Sequence, residues 1–263
     1  MPIVQADRLT RIGAALLKAA GASDEEADAV ALGCVNANLA GHDSHGVIAI
    51  PTYIDRIKVG HIVPGAKWTI VRESPTTTVI DGHWGFGFHV NAKAMALTIE
   101  KAKTANVAAC TVFRQSHVGR LAAYPMMAMR EGMIGIATAD SGRSPKHVAP
   151  FGGREARLGT NPISIAVPSD LEAPFYLDMA TSAVAAGRLD AKTQAGEQAA
   201  QHLDHRGQSA ALVAFAAAER QQRAALAELF GVGSLPAVAV DDPAGRNLVA
   251  ACGGERNLPG RHG

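Results

Sequence analysis

Between Trp68 and Ala139 short apolar runs alternate with helix-length periodic stretches, and this rhythm restricts the fold more than any other feature. Trp68 to Glu73 and Thr76 to Asp81 read as two strands joined at Pro75. A helix from about Val90 to Ala105 follows, with Ala94, Leu97, Ile99 and Ala102 giving much of its apolar surface. Val107 to Phe113 reads as a buried strand, Leu121 to Arg130 as a helix and Met133 to Ala139 as another strand. Strand, helix, strand in this order implies a βαβ-like unit in a mixed sheet, hence an α/β fold. Leu158 to Pro162, Ile163 to Val167 and Phe175 to Asp178 supply further strand-like pieces.

The residues before Trp68 follow a helical period instead. Leu9, Ile12, Leu16 and Leu17 recur at helical spacing, and Gly21 is a natural stop. Ser23 with Glu26 is a capping-box pattern that opens a second helix carrying Ala27, Val30, Ala31, Cys34 and Val35. Pro51 suits the first turn of a third helix ending near Val59. Residues 1–75 therefore read as a helical domain and 76–198 as a mixed-sheet domain. From Ala199 the character changes: Ala210 to Phe230 reads as a solvated Ala-rich helix, and Asp241 to Gly263 as a loose tail.

A chain of 263 residues can bury a sizeable core. Its formal net charge of +1 gives no general attraction to nucleic acid or an acidic membrane. Cys34, Cys110 and Cys252 have no disulfide or zinc spacing, which suits a reducing compartment. Met1 to Arg11 lacks a signal-peptide profile and no apolar run is long enough to span a bilayer, so the expected location is the cytoplasm.

The helical domain presents Gly41-His42-Asp43-Ser44-His45-Gly46-Val47, two imidazoles, a carboxylate and a hydroxyl between glycines. Histidine titrates near neutral pH and can move a proton in carbonyl chemistry, so His45 is the leading candidate, against a purely structural role. A metal site needs at least three convergent ligands, and His42 and His45 have no obvious third one nearby; no metal is expected. Gly85-x-Gly87 does not complete a dinucleotide fingerprint, because Val90 stands where the third glycine belongs. Gly159-Thr160-Asn161-Pro162 and Asp178-Met179-Ala180-Thr181-Ser182 adjoin strand-like runs, where they could bind a cofactor or simply form turns.

Taken in order, several motifs resemble the malate/L-lactate/ureidoglycolate dehydrogenase family. They are Asp43-Ser44-His45-Gly46-Val47, Tyr53 with a Gly60-His61-Ile62 turn, Ser116-His117-Val118-Gly119, and Ala149-Pro150-Phe151-Gly152-Gly153. Leu158-Gly159-Thr160-Asn161-Pro162 and Asp178-Met179-Ala180-Thr181-Ser182 complete a set spanning roughly residues 5 to 198. The resemblance implies a non-Rossmann NAD(P)-binding fold and a homodimer. It also implies hydride transfer between NAD or NADP and the 2-position of a small 2-hydroxy or 2-oxo acid. Carried over, it makes His45 the proton donor and acceptor with Ser44 beside it, and puts His117 near substrate and nicotinamide. Ser141, Thr160, Asn161, Asp178, Ala180, Thr181 and Ser182 become the candidates for cofactor contact.

Two departures stand out. Ala49 occupies a position where many family members carry an arginine, and Arg120 is the candidate replacement for binding a substrate carboxylate. After Gly196-Glu197-Gln198 the family pattern stops. One GC-rich back-translation of Ala199 to Gln208, read one nucleotide later, spells the family-like Leu-Pro-Ser-Thr-Trp-Ile-Ile-Glu-Ala. The expectation is a frameshift near Gln198 and an aberrant tail over 199–263. An inactive remnant of such an enzyme is the alternative, and a metal-dependent hydrolase a more distant one.

Overall fold

A computed structural model of the chain describes residues 3–140, 146, 148–170 and 172–182, and the backbone of 208–216. Three helices come first: α1 (Ala6–Ala19), α2 (Asp24–Leu39) and α3 (Ile50–Lys58). The capping box forms as read, with Glu26 N–H donating to Ser23 Oγ and Ser23 N–H donating back to Glu26 Oε2 at 3.0 Å. The buried Glu26 carboxylate also accepts the Gly65 N–H at 2.9 Å, so the same side chain ties α2 to the segment leading into the sheet.

The hairpin β1 (Thr69–Glu73) and β2 (Thr77–Asp81) leads to α4 (Gly87–Ala105), β3 (Val107–Gln115), α5 (Pro125–Arg130), β4 (Met133–Ala139), β5 (Ile163–Val167), β6 (Phe175–Met179) and β7 (Gln208–Ala216). The strands form one mixed sheet in the order β1-β2-β3-β7-β4-β5-β6. Since β1 pairs with β2, the hairpin straddles the boundary expected at residue 75. The helix expected over Leu121 to Arg130 is split into a 3₁₀ turn, Leu121–Ala123, and α5, with Pro125 in the first turn of α5. Leu158 makes only an isolated bridge to Val148 rather than a strand with Pro162.

The largest correction concerns residues 208–216. They form no solvated helix; their backbone pairs antiparallel with both β3 and β4 in the middle of the sheet. Alanine favours a helix only weakly, by tenths of a kcal/mol per residue, and two ladders of backbone hydrogen bonds outweigh that preference.

β2 runs parallel to β3, and β7 lies antiparallel between β3 and β4; β5 lies antiparallel between β4 and β6. The strands β2, β3, β4 and β6 therefore all point the same way. Their carboxyl ends share one edge of the sheet, the usual place for a ligand crevice in open α/β sheets. One core lies between the sheet and α4 and α5, around Ile80, Met95, Val112 and Tyr124. A second joins the N-terminal helices, around Leu17, Val30 and Tyr53, to Phe86 and Phe88 at the start of α4. Phe88 thus plugs the helical layer onto the sheet layer, and the Gly33 backbone leaves room for its ring.

Candidate active site

The His-rich turn is built by a clamp absent from the sequence reading. Asn38, in the last turn of α2, donates from Nδ2 to Asp43 Oδ1 at 2.6 Å and accepts the Val47 N–H on Oδ1 at 2.9 Å. The residues between wind into 3₁₀ turns, Asp43–His45 and Val47–Ala49, before α3 begins. Gly46 leaves room for the Asn38 amide, which a Cβ there would overlap unless the clamp shifted. The turn places Ser44 Oγ 3.0 Å from His45 Nδ1, leaving Nε2 as the ring nitrogen available to a ligand. Burial holds the His45 pKa below its ordinary value, and the charges of His42 and Arg120 add to this.

His117 enters from the other layer, on the turn after β3. Its ring stacks near that of His45, with centroids 5.5 Å apart and planes inclined by 30°. Tyr53 Oη, from α3, is hydrogen-bonded to His117 Nδ1 at 2.7 Å. Phe88 stands edge-on to both Tyr53 and His117. Gly119 has φ +69°, and a Cβ there would strike the Phe88 ring, so the chain turns sharply past His117 at the only residue type that fits. Burial pushes the His117 pKa down to about 3, with the charges of His45 and Arg56 acting in the same direction.

Arg120 and Asp178 close a third side. Their closest approach is 3.7 Å, Nε to Oδ2, too long for a hydrogen bond, and both side chains are nearly buried. Asp178 Oδ2 accepts the Ala122 N–H at 3.1 Å, and the Arg120 guanidinium lies over the Tyr176 ring at 5.1 Å. Arg120 Nε and Nη2 are buried with no hydrogen-bond partner among the described residues, as is His42 Nδ1. Buried guanidinium donors are costly to leave unpaired, so this arrangement suits an anionic ligand. Burial raises the Asp178 pKa, opposed by the Ala122 N–H, Arg120 and His42. Ala49 is half-buried against the helical core and offers no charge.

The remaining candidates gather at the same sheet edge, just before β5 and just after β6. Thr181 donates from its N–H to Thr160 O at 3.0 Å and from Oγ1 to Asn161 O at 2.9 Å. That pins the Thr160-Asn161 and Ala180-Thr181-Ser182 segments together. Asn161 adopts φ +39°, and its Oδ1 is buried without a partner among the described residues. Asp178, two residues before Ala180, faces Arg120 and accepts the Ala122 N–H. Ser141 lies outside the described residues. Among the described residues no group of three or more His, Cys, Asp or Glu side chains is placed to hold a metal ion, and no helix is long and apolar enough to cross a membrane.

Comparison with known proteins agrees with this architecture. The malate/L-lactate dehydrogenase family model matches residues 4–211. A malate dehydrogenase of Pyrococcus abyssi is 41% identical over 192 residues, covering 73% of this chain and 52% of that protein. An L-sulfolactate dehydrogenase of Methanocaldococcus jannaschii is 42% identical over 174 residues, covering 66% of this chain and 49% of that protein. The solved malate dehydrogenase of Pyrococcus horikoshii superposes with a TM-score of 0.72 at 29% identity, covering 81% of this chain and 75% of that one. The chain spans about half the length of the curated relatives it matches. By the extent of the family match and these identities, the chain belongs to the malate/L-lactate dehydrogenase family.

Proposed function

We propose that the protein is a nicotinamide-dependent oxidoreductase acting on the 2-position of a small 2-hydroxy or 2-oxo acid. The observation that carries this reading is the meeting of His45, His117 and Arg120, a proton carrier and a guanidinium with buried, unpaired donors. In the oxidation direction neutral His45 takes the hydroxyl proton on Nε2, and in reduction it returns that proton to the oxygen. Ser44 Oγ holds the other ring nitrogen throughout, accepting from Nδ1–H in both charge states. Arg120 binds the substrate carboxylate, the part taken in many family members by an arginine at the position of Ala49.

NAD or NADP fits beside this group on one observation, the buried unpaired Asn161 Oδ1, an acceptor suited to a carboxamide NH₂. Thr160, Asn161, Ala180, Thr181 and Ser182 would hold it, and Ser141 and Asp178 are retained as further contacts from the family resemblance. When bound, the nicotinamide supplies or accepts the hydride at C2. A homodimer belongs to the same proposal and rests on the family resemblance; a cytoplasmic location belongs to it too and rests on the lack of disulfide spacing among Cys34, Cys110 and Cys252. The named relatives act on malate and sulfolactate, which supports a 2-hydroxy acid as the substrate class.

The test is the change in nicotinamide absorbance when purified protein meets NADH or NADPH and a panel of 2-oxo acids. Acid-dependent oxidation of either cofactor supports the proposal. Binding of cofactor without turnover of any acid supports the inactive remnant instead.

A further inference from the structure

Tyr53 reaches across from the helical layer to the His117 ring. We propose that Tyr53 is a positioning residue that fixes His117 as the imidazole protonated on Nε2, so that His117 is an uncharged hydrogen-bond donor to the substrate's C2 oxygen while His45 carries the proton.

Two donors converge on one ring nitrogen. Tyr53 Oη lies 2.7 Å from His117 Nδ1, and the Gly119 N–H points at the same atom at 3.4 Å. The Tyr53 hydroxyl has no other hydrogen-bond partner among the described residues. Tyr53 is 3% exposed, and burial keeps its phenol protonated far above neutral pH. A protonated phenol with one acceptor in reach donates to it. A proton on Nδ1 would instead face the Gly119 N–H and leave the phenol hydrogen unpaired in a buried site. Nδ1 is therefore the acceptor, and a neutral imidazole then carries its proton on Nε2. Burial removes the cationic alternative, since the His117 pKa lies far below neutral.

The consequence is a division of labour between two rings 5.5 Å apart. A second imidazolium beside a charged His45 would repel it, whereas a neutral N–H donor can polarise the substrate oxygen without adding charge. This catalytic consequence rests on the oxidoreductase reading; the tautomer does not depend on it.

The experiment uses the full chain labelled with ¹⁵N-histidine and long-range ¹H–¹⁵N correlation spectra, which separate protonated from unprotonated ring nitrogens. His117→Gln identifies the His117 signals. Between about pH 5 and pH 8, the range over which an ordinary histidine titrates, His117 is expected to keep an unprotonated Nδ1 and a protonated Nε2. Tyr53→Phe keeps the ring packed against Phe88, so the tautomer is expected to become mixed without loss of the fold. If the protein reduces a 2-oxo acid, kcat in Tyr53→Phe is expected to fall about tenfold with KM little changed, the loss of roughly one transition-state hydrogen bond. A wild-type His117 that is cationic or protonated on Nδ1, or an unchanged tautomer in Tyr53→Phe, overturns the positioning. Equal kcat in the two proteins overturns the catalytic consequence. A fixed tautomer in a protein that turns over no 2-oxo acid supports the positioning and refutes the oxidoreductase reading.

Discussion

Replacing His117 with Gln should make the protein less sensitive to acid. The folded chain holds His117 neutral down to about pH 3, whereas an unfolded histidine takes up a proton near 6.5. Below 6.5 the unfolded state binds a proton that the folded state refuses, so stability present above 6.5 is lost as pH falls toward the folded pKa. Each pH unit in that window is worth about 1.4 kcal/mol per group, which makes the loss about 2 kcal/mol between pH 6.5 and about pH 5. Gln is close in size to His and keeps a polar group for Tyr53 Oη without a titrating ring. Urea unfolding of both proteins at about pH 7.5 and about pH 5 measures the difference. Burial also lowers the His45 pKa, and His45 remains in both proteins, so its own contribution largely cancels in the comparison. The wild type is expected to lose about 2 kcal/mol more than His117→Gln over this interval. Equal losses in the two would show that His117 is not a buried neutral imidazole, and the pairing with Tyr53 would fall with it.

Three further outcomes are expected. Arg120→Met keeps an unbranched apolar stem but removes the guanidinium over Tyr176 and its unpaired donors, and should cut kcat/KM for any 2-oxo acid by roughly 10²–10³-fold, mainly through KM, as measured by initial rates; an unchanged KM would place the carboxylate elsewhere. Gly46→Ala drives a methyl group into the Asn38 amide and should destabilise the fold by about 1–3 kcal/mol in urea unfolding, a neutral result contradicting the clamp. DNA sequencing across codon 198 is expected to show a frame in which Leu-Pro-Ser-Thr-Trp follows Gln198; a gene with no such alternative frame refutes the frameshift.

Elements defined by local chemistry could be read directly from the sequence. The Ser23–Glu26 capping box is satisfied within four residues, and β1, β4 and β5 follow their apolar runs closely. Elements set by distant partners could not. α4 begins at Gly87 rather than near Val90 because the Gly87 N–H is satisfied by Ser116 Oγ at 3.0 Å, across from the turn after β3. Residues 208–216 are rich in alanine and their strand state depends on β3 and β4 flanking them. The site divides in the same way. His45 and Ser44 stand out as polar residues on a Gly-bounded turn and His117 through the family resemblance, and the structure brings their segments together. Asn38 was missed because it lies inside a helix with no local signal, although an amide in the last turn before Gly41 was a clue. Asp178 is a cofactor candidate through the family resemblance; that it also faces Arg120 and Ala122 is visible only when β6 and the turn after His117 are placed side by side.

The most direct test of the central claim is His45→Ala assayed by nicotinamide absorbance against the 2-oxo acid that the wild type turns over best. His45 is held by a turn whose clamp, Asn38, is untouched by the change, so the fold is expected to survive. Loss of reduction by roughly 10²–10⁴-fold with cofactor binding retained is the expected result. Near wild-type turnover in His45→Ala would remove the proton carrier on which the proposed chemistry depends.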